Sequence, residues 1–407
     1  MNKIFIIALI LFQAGSLPAQ TKKAIFIIAD GIPADVIEKV KTPALDAIAK
    51  VGGYANAHVG GEKGGYSQTP TISAVGYNSL LTGTWVNKHN VWGNDIKAPN
   101  YNYWNIFRFL ESVSPQKKTA VFSTWLDNRT KLVGDGLATA GDVHIDHHMD
   151  GMENDTLRFP HDDQREFMHR IDEQVVDSAA AYIRSAAPDL TWVYLEYTDD
   201  MGHKYGDHHK LYTAVEYLDK QVQRIWESVQ YREKNFRENW VIYITTDHGR
   251  DSITGKNHGG QSDRERNTWI FTNAKGLNDY FYKHQPGIVD IMPSISLFLD
   301  IQIPREQRME IDGIPVTGKL SAVLPKAILY NDHLTINWKA MQKKSKVKIW
   351  LTTSNYFKTG GKDNYSLVAE VPLEKEEAVI DVAKFKSSFY KIVIEGPDNF
   401  CNVWVGQ

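Results

Sequence analysis

The sequence predicts an α/β fold: a doubly wound, mostly parallel sheet flanked by helices, followed by a small C-terminal β-sandwich. Three observations predict it. Unbroken apolar segments of strand length alternate with longer segments of helical periodicity up to about residue 300. Continuous apolar runs fit strands covered on both faces, and their alternation with helices fits βαβ units. Acidic residues follow several of these runs, as Asp30 follows Ala24–Ala29. In open α/β sheets ligands gather beyond the carboxyl ends of the strands. After about Ala322 the pattern changes to short strands joined by Gly, Asn, Asp and Lys turns.

In chain order, residues 1–20 read as a secretory signal. Lys3 supplies the positive start, Ile4 to Phe12 the apolar stretch and Leu17-Pro18-Ala19-Gln20 the cleavage site. The apolar stretch is too short to span a bilayer, and no Cys follows it, so neither a membrane anchor nor a lipid anchor is expected. A secreted or periplasmic protein is the expectation. Predicted strands cover Lys23–Ala29, Thr119–Ser123, Leu190–Tyr197 and Trp240–Thr246, and predicted helices cover Thr42–Val51, Gln164–Ala187, His208–Trp226 and Gly287–Leu299. Residues 21–322 form the expected catalytic domain. Within it, 85–164 is irregular and rich in Asn, Trp, Tyr and His, and reads as a cap over the strand ends. Residues 326–407 form the expected β-sandwich, with strands at Val347–Thr352, Ser366–Val371, Ala378–Val382, Phe389–Glu395 and Cys401–Val405.

The 407 residues suffice for two or three domains and one large core. A formal net charge of -3 and the lack of a long basic run give no sign of a nucleic-acid-binding surface. The single cysteine, Cys401, lies in an apolar run and reads as a buried strand residue. One thiol cannot form an internal disulfide, so stability must come from the core and from bound metal.

Three short clusters hold six metal-ligand side chains. They are Asp30; Asp199 and His203 in Asp-Asp-Met-Gly-His; and Asp247, His248 and His258 in Asp-His-Gly and Asn-His-Gly-Gly. Three carboxylates and three imidazoles suit two zinc-like ions with three protein ligands each, leaving a position open for substrate. The mixed His/Asp set favours zinc over magnesium or calcium. Four-residue spacing to His203 favours Asp199 over Asp200. The segment from Gln68 to Gly83 offers hydroxyls at the start of a predicted helix, where negative charge is stabilised. Thr71 or Ser73 there serves either as a nucleophile or as a helix cap.

In their order, these motifs resemble the nucleotide pyrophosphatase/phosphodiesterase branch of the alkaline phosphatase superfamily, over roughly residues 22 to 320. The shared elements are a strand-end Asp (Asp30), a hydroxyl nine residues before a Thr-Gly pair (Ser73 before Thr82-Gly83) and an Asn soon after (Asn94). Asp-x-x-Gly-His, Asp-His-Gly and a final His follow at Asp199/His203, Asp247-His248 and His258. The spacing selects Ser73, with Thr69 and Thr71 as runners-up. Ser in place of Thr departs from the phosphodiesterase branch and is the usual residue in alkaline phosphatases proper. The resemblance implies that Asp30, Asp247 and His248, with Ser73, hold one ion and that Asp199, His203 and His258 hold the other. It also implies a phosphoryl-Ser73 intermediate and a hydrogen bond from Asn94 to a phosphoryl oxygen.

The implied activity is hydrolysis of a small-molecule phosphate ester. Monoesterases of the superfamily add a cation for the extra phosphoryl charge. Arg129 is the nominated substrate-binding residue, with Lys131 beside it, but the Lys-x-Arg pair of some monoesterases is missing. A diester is therefore expected, with an alkaline phosphomonoesterase as the alternative and a non-catalytic, metal-stabilised binding protein as the second. No Cys/Ser-x-Pro-x-Arg motif supports a sulfatase. Trp85, Trp92, Tyr101, Tyr103 and Trp104 either stack on a flat leaving group or pack the cap. The run His144–Asp150 reads as a solvated loop, Asp207-His208-His209 as a helix start, and Arg264 and Arg266 as anion contacts or internal salt bridges.

Overall fold

The computed structural model describes residues 20–406. The signal expectation therefore lies outside the described residues, Gln20 apart. Strand β1 (Thr21–Ala29) carries six consecutive residues, Ala24 to Ala29, with no exposed surface. Ala24, Phe26 and Ile28 enter one apolar cluster while Ile25, Ile27 and Ala29 enter another, as the two-residue side-chain period requires. That is why the run reads as continuously apolar: both faces are covered.

Strands β2 (Gly53–His58), β3 (Thr119–Ser123), β4 (His147–Met149), β5 (Leu190–Leu195), β6 (Glu238–Thr245) and β7 (Asn267–Thr272) complete a seven-stranded sheet in the order β2-β7-β6-β1-β5-β3-β4. The strands from β6 through β4 run parallel, and β7 is antiparallel to both β6 and β2. On one face pack the helices Pro43–Val51, Glu166–Ala186 and His209–Asn235. The other face is covered by Ser73–Thr82, Ile106–Val113 and Ile291–Phe298. The stretch 85–164, expected as a cap, supplies β3, β4 and the helix Ile106–Val113, so much of it belongs to the layered body. Residues 144–150 likewise end in the edge strand β4, where His147 stacks on Tyr182 at 3.8 Å. Among the described residues no helix is long and apolar enough to cross a membrane.

The tail forms two antiparallel sheets. Their strands are β8 (Ala322–Tyr330), β9 (His333–Ala340), β10 (Lys346–Thr352), β11 (Ser366–Pro372), β12 (Glu377–Asp381), β13 (Phe389–Glu395) and β14 (Phe400–Gly406). The orders are β11-β10-β13-β14 and β12-β9-β8. The expected start at residue 326 falls inside β8. Leu334, Ile336, Ile349 and Ile392 share one buried cluster with Phe26 and Leu80, so the core is continuous between the two regions.

A buried ionic network crosses that junction. Lys88 Nζ donates to Asp312 Oδ1 at 2.6 Å and to Asn402 Oδ1 of β14 at 2.7 Å. Lys391 of β13 reaches Glu310 Oε1 at 2.5 Å and Asp363 Oδ2 at 2.7 Å. Removing one member of such a network strands its partners without water. Lys391→Met is expected to lower unfolding free energy by about 3–5 kcal/mol in denaturant titrations. Wild-type stability of that variant would show the network to be dispensable.

Candidate active site

The six nominated ligands converge at the carboxyl ends of the three central strands. Asp30 follows β1, and Asp247 and His248 follow β6. Strand β5 ends at Leu195 rather than Tyr197, because a helix, Tyr197–Tyr205, begins there. That helix sets Asp199 and His203 one turn apart on one face, with Asp199 Oδ2 3.2 Å from His203 Nε2. His258 arrives from the loop after β6. Its Nε2 lies 3.0 Å from His203 Nε2, and its ring stacks on His248 at 3.6 Å.

Ligand atoms of Asp199, His203 and His258 all lie within 4.8 Å of one another, and so do those of Asp30, Asp199 and His248. Asp199 thus belongs to both groups, whereas the family resemblance assigns it to one. Asp247 joins through its Oδ2, 3.2 Å from His248 Nε2. Asp30 Oδ1 lies 3.3 Å from the same nitrogen.

Several features fit this pocket to cations. Asp30 Oδ1 and Asp247 Oδ2 are buried and accept no hydrogen bond, which buried carboxylate oxygens rarely tolerate. Burial and the neighbouring Asp30 push the Asp247 carboxyl well above its ordinary pKa. His248 Nδ1 faces the Gly249 carbonyl at 2.9 Å, and His258 Nδ1 faces the Thr71 carbonyl at 2.9 Å. With Nδ1 donating, both Nε2 lone pairs point inward, the orientation a metal ligand needs. Burial, then the neighbouring His248 ring, lowers the His258 pKa to about 4, keeping the His258 imidazole neutral. Asp199 behaves differently: burial would raise its pKa, but Arg250 and the hydrogen bond to His203 outweigh burial and hold it well below the carboxylate range.

Arg250 is a residue that the motif reading passed over. Its side chain is fully buried. Nε donates to the Gly31 carbonyl at 2.9 Å, Nη1 to Lys256 at 3.0 Å, and Nη2 to the Asp199 carbonyl at 2.8 Å and to Asp199 Oδ1. It joins all three strand ends. Two glycines make room for it: a Cβ on Gly31 would lie 2.6 Å from Arg250 Nη2, and one on Gly202 would lie 2.1 Å from Arg250 Cζ. Gly31 also has φ +68 and donates its N–H to Asp247 Oδ1 at 3.1 Å. Glycine in Asp-x-x-Gly-His is therefore a packing requirement.

Ser73 opens the helix Ser73–Thr82, which ends at the left-handed Gly83. Its Oγ lies 3.4 Å from His248 Nε2. Thr71 is committed elsewhere: its hydroxyl donates to the Gly260 carbonyl at 2.9 Å and accepts from Gly259 N–H at 2.9 Å. Asn94 Oδ1 accepts the Ala74 N–H at 3.0 Å, which places its amide beside Ser73. Asp30 Oδ2 is held by Tyr77 and Tyr194, two further residues that motif reading missed. Tyr77 lies four residues after Ser73, so helical spacing carried a signal. Asp200, the alternative to Asp199, pairs with Arg165.

Arg129 does not fit the substrate role. Its guanidinium holds Asp150 at 2.6 and 3.0 Å and Asp135 at 2.6 Å, an internal cluster that satisfies its fork. Lys131 pairs with Asp127. Arg264 pairs with Asp35 and Asp207, and Arg266 with the Gly60 and Gly61 carbonyls. His208 opens its helix by accepting the Lys210 N–H at 3.3 Å. Of the aromatics, Tyr103 and Trp85 are buried, and Trp92 is 54% exposed.

Gly202→Ala should displace Arg250 and cost about 1–3 kcal/mol in denaturant unfolding. Gly93→Ala, with its nearest atom at 3.7 Å, should change little. Equal stabilities would show that the Arg250 packing tolerates a side chain.

Residues 24–293 match the family model of type I phosphodiesterase / nucleotide pyrophosphatase. GPI ethanolamine phosphate transferase 3 of Schizosaccharomyces pombe is 25% identical over 170 residues, 40% of this chain but only 16% of that longer protein. A sulfatase candidate of Bacteroides thetaiotaomicron superposes with TM-score 0.51 and 13% identity, covering 89% of this chain and 85% of the other, and so shares the fold. Human ectonucleotide pyrophosphatase / phosphodiesterase 5 superposes with TM-score 0.48 and 15% identity, over 69% and 96% of the two chains. With two thirds of its length matching the family model, the chain belongs to the type I phosphodiesterase / nucleotide pyrophosphatase family.

Proposed function

We propose that this protein is a phosphoester hydrolase, a two-zinc phosphodiesterase that works through a phosphoryl-Ser73 intermediate, and that it acts outside the cytoplasm. The observation that carries the reading is the convergence of Ser73 Oγ and the unpartnered oxygens of Asp30 and Asp247 on one buried imidazole, His248. Asp30, Asp247 and His248 would hold one ion, and Asp199, His203 and His258 the other, with Asp199 placed to serve both. Zinc suits the mixed imidazole and carboxylate donors. Bound there, the ions would acidify a hydroxyl and neutralise developing phosphoryl charge.

The protein groups then divide the work. Ser73 sits at the N-terminal end of its helix, where the backbone favours negative charge on Oγ. Its Oγ forms a bond to phosphorus as the P–O bond to the leaving alcohol breaks. Water later cleaves the phosphoseryl ester and regenerates the hydroxyl. Asn94, its carbonyl oxygen fixed by Ala74, keeps its amide N–H groups for a phosphoryl oxygen. Diesters are favoured because nearby cations already have carboxylate partners: Arg250 has Asp199, Arg129 has Asp135 and Asp150, and Arg165 has Asp200. A dianionic monoester would meet little uncommitted positive charge from the protein itself.

With zinc present, bis-p-nitrophenyl phosphate should be hydrolysed faster than p-nitrophenyl phosphate. Ser73→Ala should lose about a thousandfold or more in turnover while keeping its melting temperature. A monoester preference would contradict the diester assignment, and a fully active Ser73→Ala would contradict the covalent route.

A further inference from the structure

We infer that Tyr77 and Tyr194 are positioning residues for the candidate ligand Asp30: they occupy its Oδ2 and thereby reserve Oδ1 for a cation. This rests on the two-cation reading above and adds to it a device for selecting one carboxylate oxygen.

The geometry is compact. Tyr194 OH lies 2.7 Å from Asp30 Oδ2, Tyr77 OH donates to the same oxygen, and the two hydroxyls are 2.7 Å apart. Both tyrosines are buried, and their rings lie against each other at 4.8 Å. Oδ2 is saturated. Oδ1, by contrast, accepts nothing and lies 3.3 Å from His248 Nε2. A buried carboxylate with two donors on one oxygen and none on the other is polarised toward a single ligand position. The phenols also draw charge away from Asp30, easing its repulsion with Asp247.

The two tyrosines come from different places. Tyr194 belongs to β5, beside β1, and Tyr77 lies one turn beyond Ser73 in its helix. One hydroxyl therefore ties the ligand to the sheet, while the other ties it to the helix that carries the nucleophile. Ser73 and Asp30 are held in register through a single side chain.

The test measures zinc affinity, by competition with a chromogenic chelator, in the parent, Tyr77→Phe, Tyr194→Phe and Tyr280→Phe. The last removes a similar buried phenol–carboxylate bond, Tyr280 OH to Asp290 Oδ2 at 2.9 Å, outside the candidate ligand set. Loss of an orienting partner typically weakens metal binding by about 10–100-fold. Expected is a loss of that size for one of two zinc equivalents in each of the first two variants, with Tyr280→Phe equal to the parent. Unchanged affinity in Tyr77→Phe and Tyr194→Phe would overturn the positioning role while leaving the two-cation reading intact. Failure of both to fold while Tyr280→Phe folds would overturn it in favour of a purely structural role. A parent that binds no zinc would overturn both readings.

Discussion

Asp30 and Asp247 carry their carboxylates to the ends of adjacent central strands, where burial removes the water that would screen their repulsion. The surroundings relieve only part of that tension. Asp30 has two phenols on one oxygen, Asp247 has one backbone N–H from Gly31, and Arg250 is given over to Asp199. One oxygen of Asp30 and one of Asp247 remain bare, facing an imidazole whose other nitrogen is anchored. Such an arrangement suits a site that a cation completes.

The sheet order explains why these groups meet. With β1 in the middle and β5 and β6 on either side, the three strand ends lie next to one another although they are distant in sequence. Arg250 turns adjacency into fixed geometry by bridging Gly31, Asp199 and the loop that leads to His258. Thr71 does the same from the Ser73 side, since its carbonyl faces the His258 ring and its hydroxyl bonds Gly259 and Gly260. The tail is less separate than its composition suggests. Its inner apolar residues extend the main core, and Lys88 reaches it from the helix that follows Ser73–Thr82.

Much of this was legible in the sequence because burial on two faces leaves an unbroken apolar run. Strands β1, β3, β5 and β6 have that signature, and the motifs that carry the candidate ligands follow β1, β5 and β6. The rest was hidden for physical reasons. Strand β2, Gly53-Tyr-Ala-Asn-Ala-His58, is a half-exposed edge with small and polar residues, so it has no apolar run to detect. In β8, alternation and a bulge between Val323 and Lys326 obscured the strand start. The start of helix Tyr197–Tyr205 reads as strand in the sequence because Leu190–Tyr197 is apolar throughout except for Thr191 and Glu196. Arg250 could not be seen at all, since charge in a sequence says nothing about whether three carbonyls and a carboxylate wait for it in the interior. Arg129 shows the converse: its charge suggested substrate, and only the structure reveals Asp135 and Asp150 around it.

The most direct test of the account is a zinc titration of chelator-cleared protein, followed by metal content per chain and bis-p-nitrophenyl phosphate turnover at each step. The account predicts saturation at two zinc ions per chain, with turnover restored as the second binds. Full turnover in the cleared protein, or saturation below two ions, would contradict it.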